Sequence, residues 1–86
     1  MPTEIHVYEK PGCSLCDEAF DLLDDTASRF QFEVVRHNIL EDPLVFERYR
    51  YVVPVVVIDG IERLRLRFDH QELEAALLVS KVPRRE

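Results

Sequence analysis

The sequence predicts a single α/β domain, residues 1–86, in the order βαβαββα: a four-stranded mixed sheet with flanking helices. Three observations lead there. Strand-like and helix-like hydrophobic periods alternate along the chain. "VVVID" (55–59) is almost wholly apolar, as a strand buried on both faces would be. Asp59-Gly60 then signals a tight hairpin into a strand of clean alternation.

Each element has its own local reason. "EIHVY" (4–8) alternates Ile5 and Val7 with His6 and Tyr8, the period of a strand. After Pro11-Gly12 the period becomes helical. Cys16, Ala19, Phe20, Leu23, Ala27 and Phe30 recur at three- and four-residue steps, opposite Asp17, Asp21, Asp24 and Asp25, which predicts a helix from Ser14 to about Arg29. "FEVVRHNI" (32–39) is rich in β-branched and aromatic residues and reads as the second strand. Asp42 as N-cap with Pro43 at the first helical position opens a short helix carrying Leu44, Val45 and Tyr49. "IERLRLRF" (61–68) sets Leu64, Leu66 and Phe68 on one side and Arg63, Arg65 and Arg67 on the other. "VVVID" is expected to be central in the sheet and "RLRLRF" at an edge. "DHQELEAALLVSK" begins with a capping box, Asp69 and Glu72, and buries Leu73, Ala76, Leu77 and Ser80. The tail "PRRE" is expected to be loose.

Composition narrows the function classes. The formal net charge is −6, with 3 Lys/Arg against 11 Asp/Glu in residues 1–47 and 8 against 6 in residues 48–86. That balance argues against nucleic acid as a partner. No apolar run reaches membrane-spanning length, so no membrane partner is expected. The N-terminus lacks a basic start followed by an apolar segment, so a cytoplasmic protein is expected.

Both cysteines lie in "YEKPGCSLC" (8–16). As a structural staple the pair would close too small a loop to restrict the unfolded chain much. As a metal site it lacks ligands, because His6, His37 and His70 are scattered; no bound metal is expected. As a reagent it has a physical basis. Cys13 falls at the start of a helix, where free N–H groups and the macrodipole favour an anion, and the thiolate is the nucleophile. Cys16, one turn further in, is close enough to resolve a mixed disulfide on Cys13. Lys10 adds positive charge. Tyr8 either borders the cysteines or simply packs. Two readings are open for Pro54: a plain strand start, or a cis proline that turns the backbone of Val53 towards the cysteines and a docked substrate.

"KPGCSLCD" and "VVPVVVIDG", in the βαβαββα order, resemble the glutaredoxin-like proteins of the thioredoxin superfamily over essentially the whole chain. The C-x-L-C-D form is nearest to a subfamily of small members. The resemblance places Lys10 at a position commonly lysine. It aligns Val52, Val53 and Pro54 with a Thr-Val-Pro segment whose proline is cis and faces the cysteines, with valine in place of threonine. It implies a thioredoxin/glutaredoxin-like fold; with the reading of the residues, the expectation is a monomeric disulfide reductase with catalytic Cys13 and Cys16 and a substrate-binding set of Lys10, Val53, Pro54 and Tyr8. Its partners would be a disulfide-containing protein or small thiol substrate and a reductase as electron donor. The rival class is a non-enzymatic binding or iron–sulfur carrier module using the cysteines as ligands. One departure stands out. Glutathione-using members carry Gly-Gly and a polar, acidic run after the last strand, where this chain reads "LRLRFDHQEL". Asp69 alone could hold the acidic position. No bound cofactor is expected, and glutathione is expected to be at most a weak reductant. The Arg63/Arg65/Arg67 row reads either as a solvated edge or as a docking surface for an acidic partner or a glutathione carboxylate.

Overall fold

Four strands form one sheet in the order β2-β1-β3-β4 in the computed structural model, which describes residues 3–86. β1 (Thr3–Glu9) pairs in parallel with β2 (Phe32–Asn38) and antiparallel with β3 (Val55–Ile58), which pairs antiparallel with β4 (Ile61–Arg65). β3 is therefore internal and β4 an edge, as expected. A parallel pair needs a crossover, and α1 (Ser14–Thr26) supplies it. A 3-10 turn (Ile39–Glu41) leads from β2 into α2 (Pro43–Tyr49), and α3 (His70–Val79) closes the fold.

The strand period divides the interior in two. Ile5 and Val7 of β1 point into the main core with Ala19 and Leu23 of α1, Val56 and Ile58 of β3, and Leu73 and Leu77 of α3. Tyr8 points into a second, smaller cluster made by Cys16, Ile39 and Val53, on which Val45, Phe46 and Tyr49 of α2 pack. The helix caps follow the sequence. The Asp42 side chain accepts from the N–H groups of Leu44 and Val45, with Pro43 beside it. Asp69 accepts from Glu72 N at 2.9 Å while Glu72 Oε1 accepts from Asp69 N at 3.2 Å. Asp69→Ala is expected to cost about 1 kcal/mol, read as a lower urea midpoint with an unchanged slope. Asp59 and Gly60 both have positive φ, 53° and 76°, as a two-residue hairpin of this twist requires.

Five expectations are corrected. α1 stops at Thr26 rather than near Arg29: Ser28 N and Arg29 N donate to Asp25 O and Thr26 O, three residues back, at 3.4 and 2.9 Å, so the four-residue step of the helix is lost there. Phe30 is fully buried all the same. In α2, Leu44 is 82% exposed, and Phe46 takes the place expected for it beside Val45 and Tyr49. Ser80 is the C-cap of α3 rather than part of its apolar face. The tail is tied down: Gln31 N donates to Pro83 O at 2.7 Å, Arg85 N to Arg29 O at 2.9 Å, and Val82 is buried. These bonds satisfy backbone groups left free where α1 ends early.

The fifth correction concerns residues 61–68. The pairing slips between Val56 and Val57, which face Leu64 and Glu62, so Arg63 is the extra residue of a bulge. β4 ends at Arg65, and Leu66 has φ 62° and is exposed, whereas Leu64 packs against the main core and Phe68 is buried within it. The arginines do not form one row. Arg65 pairs with Glu62, Arg67 reaches Glu18 of α1 at 3.6 Å, and Arg63 lies half-buried against α3.

Candidate functional site

Gly12, at φ 71°, makes the turn that ends β1's extension and sets Cys13 as N-cap of α1. With no Cβ it takes this left-handed position without steric cost. Cys13 Sγ accepts from Cys16 N at 3.1 Å, so a helix-terminal N–H is aimed at the sulfur, an arrangement that favours the thiolate once the pair is reduced. Cys13 and Cys16 are joined as a disulfide, with Cα atoms 5.2 Å apart. The two sulfurs have different surroundings. Cys16 is 1% exposed, inside the second cluster with Ile39 and Val53, whereas Cys13 is half-buried at the surface.

Cys13 opens onto a cleft of about 380 Å³, walled by Lys10 and Gly12 before it, Ser14 and Leu15 after it, and Arg50, Tyr51, Val53 and Leu66 from elsewhere in the chain. Lys10 Nζ donates to Arg50 O at 3.3 Å, at the C-terminal end of α2, where carbonyls favour a cation. Its charged walls are thus Lys10 and Arg50, with no carboxylate among the lining residues. The Val53-Pro54 bond is cis, and Val53 lines the cleft while Pro54 is buried behind it. Tyr8 packs in the cluster around Cys16, with its ring 5.0 Å from that of Tyr49. Of the residues singled out in the sequence, Lys10, Cys13 and Val53 meet in the cleft; Cys16, Tyr8 and Pro54 form the layer beneath.

Sequence reasoning missed three lining residues. Arg50 and Tyr51 follow α2 and reach Cys13 only through the fold. Leu66 stands at a left-handed position that costs a leucine roughly 1–2 kcal/mol; nothing in the residue type announces it. His6 and His37, scattered in the sequence, meet in the fold: His6 Nδ1 lies 2.7 Å from His37 Nε2, and the His37 ring stacks on Tyr8 at 4.6 Å. Among the described residues no group of three or more His, Cys, Asp or Glu is placed to hold a metal ion. A larger groove of about 600 Å³ lies between α1 and the start of α3, lined by Glu18, Asp21, Phe68 and Asp69 among others. It contains no sulfur, so the chemistry belongs to the smaller cleft. Asp69 lines that larger groove, and its carboxylate caps α3 instead of facing Cys13. No helix among the described residues is long and apolar enough to cross a membrane.

Comparison with known proteins agrees with this arrangement. Residues 4–78 match the family model described as Glutaredoxin-like domain (DUF836). The chain is similar to protein Ne2328 from Nitrosomonas europaea, solved by solution NMR, at 26% identity and TM-score 0.76, covering 87% of this chain and 91% of that one. It is also similar to protein XcR50 from X. campestris, an X-ray structure, at 28% identity and TM-score 0.74, covering 87% and 96%. The four-stranded mixed sheet with its helices is a thioredoxin-like fold. A C-x-x-C pair at the head of α1 in such a domain supports a redox-type function.

Proposed function

The chain belongs to the glutaredoxin-like family, and on that premise we propose that it is a thiol–disulfide oxidoreductase working by dithiol exchange. One observation carries the reading: Cys13 is half-exposed at the cleft while Cys16 is buried directly behind it, one helical turn away. In the reduced protein the Cys13 thiolate attacks one sulfur of a substrate disulfide. A Cys13–substrate disulfide forms, and the other substrate sulfur leaves and takes up a proton. Cys16 then gives up its proton and attacks Cys13 Sγ, which releases the second substrate thiol and closes the Cys13–Cys16 disulfide. Two electrons and two protons have passed to the substrate, and a flavoprotein disulfide reductase returns them. Lys10 and the helix terminus hold the Cys13 thiolate, and the Val53 backbone, set by the cis Pro54 buried behind it, forms the floor on which the substrate lies.

Substrates of this reading are disulfides of proteins or small thiols, handled by a monomer with no bound cofactor. Glutathione is a poor electron source in it. Gripping a tripeptide with two carboxylates needs several fixed donors, and the region that would supply them holds Leu66, Arg67 and an Asp69 already committed to capping. The test is steady-state reduction of insulin disulfides, with either thioredoxin reductase and NADPH or glutathione as electron source. Turnover with the flavoprotein and much slower turnover with glutathione at matched concentration is expected. Efficient, saturable turnover with glutathione alone would sink the reductant assignment, and no turnover with either would sink the oxidoreductase.

A further inference from the structure

Leu66 is held in a conformation that suits it badly and returns little to the fold. Its φ is 62°, a region where leucine is strained and glycine is not. The residue remains 40% exposed, so the burial of the rest at most offsets that strain and leaves little surplus over glycine. The one backbone bond it makes, N–H to Pro54 O at 2.9 Å, would be made as well by glycine. What leucine adds is a side chain on the wall of the Cys13 cleft. There it adjoins Leu15 of the C-x-x-C segment, since the two line both the cleft and a small hollow beside it, above Ala19 and Phe68. Backbone strain that stability does not repay concentrates at functional sites.

We propose that Leu66 is a specificity-determining residue. With Leu15 and Val53 it forms an apolar wall beside Cys13, in a cleft whose charged walls are Lys10 and Arg50. Such a cleft selects a disulfide carried on a polypeptide whose cysteine is flanked by an apolar side chain on one side and a carboxylate on the other. The apolar neighbour covers Leu66 and Leu15, and the carboxylate meets Lys10 and Arg50. A small polar disulfide makes neither contact and leaves Leu66 in water. The cationic lining is the more telling because the chain as a whole carries a net charge of −6. This inference rests on the oxidoreductase reading and names its substrate class.

The test compares three disulfides: a dimer of a short peptide containing Glu-Cys-Leu, a dimer of the same peptide with Lys-Cys-Ser, and bis(2-hydroxyethyl) disulfide. Wild type, Leu66→Gly and Leu66→Ala are assayed with a flavoprotein reductase, and thermal midpoints are recorded. Wild type is expected to favour the Glu-Cys-Leu dimer in kcat/KM over both others. Both variants are expected to lose that preference by roughly 10-fold, with Leu66→Gly melting no lower than wild type and Leu66→Ala below Leu66→Gly. An unchanged preference in both variants, or a wild type that favours the Lys-Cys-Ser dimer or the hydroxyethyl disulfide, overturns the assignment while leaving the oxidoreductase intact. So does a Leu66→Gly protein that melts well below wild type, since the residue would then serve the fold. A wild type that reduces none of the three overturns the oxidoreductase reading as well.

Discussion

Cys13→Ser is expected to abolish disulfide reduction, by a factor on the order of 10³ or more, because the nucleophile itself is removed. It is also expected to end alkylation by iodoacetamide near neutral pH. Cys13 is the sulfur at the cleft and receives the Cys16 N–H, whereas Cys16 is 1% exposed. Cys16→Ser has a different signature. The first attack survives and the resolving step does not, so the protein accumulates as a mixed disulfide with its substrate, visible as an added mass that dithiothreitol removes. Equal alkylation of the two single-cysteine proteins, or trapping by Cys13→Ser in place of Cys16→Ser, would overturn the assignment.

Phe30→Ala is expected to destabilise the domain by roughly 3–5 kcal/mol, the range for emptying a fully buried phenylalanine site. Phe30 is 0% exposed and sits in the main core, with the Arg84 guanidinium 4.9 Å from its ring centroid. Domains of this kind have only about 5–15 kcal/mol to lose. At about 4–8 °C per kcal/mol, the thermal midpoint should fall by roughly 12–40 °C, read by circular dichroism or calorimetry. A change under about 1 kcal/mol would mean that Phe30 does not hold the end of α1 and the C-terminal tail to the core.

Much of the fold was legible because it is written in short-range patterns. The period of Ile5 and Val7 marks a strand, and the three- and four-residue steps of Cys16, Ala19 and Leu23 mark a helix. Asp42-Pro43, Asp59-Gly60 and the Asp69/Glu72 box mark their own termini, since a cap or a two-residue turn is satisfied by atoms a few positions away. The core of the site was legible for the same reason: Cys13 and Cys16 stand one turn apart at a helix start, and Lys10 comes just before them. The 3-10 turn after β2 was missed, although its cap, Asn38 accepting from Leu40 N at 2.9 Å, is equally local.

By itself the sequence determined the order of elements, the caps, the hairpin and the reactive pair, all of which are set by interactions within a turn or two of chain. Tertiary structure decided the rest. The anchoring of the segment after α1 depends on backbone bonds from Gln31 to Pro83 and from Arg85 to Arg29. The bulge at Arg63 depends on the register of β4 against β3, and the exposure of Leu66 on a bond to Pro54, 12 positions away. Arg50, Tyr51 and Leu66 come to Cys13, and His6 to His37, from separate elements. These features rest on contacts between distant residues, whose cost and reward are settled only when the whole sheet is assembled. A local hydrophobic period carries no record of them.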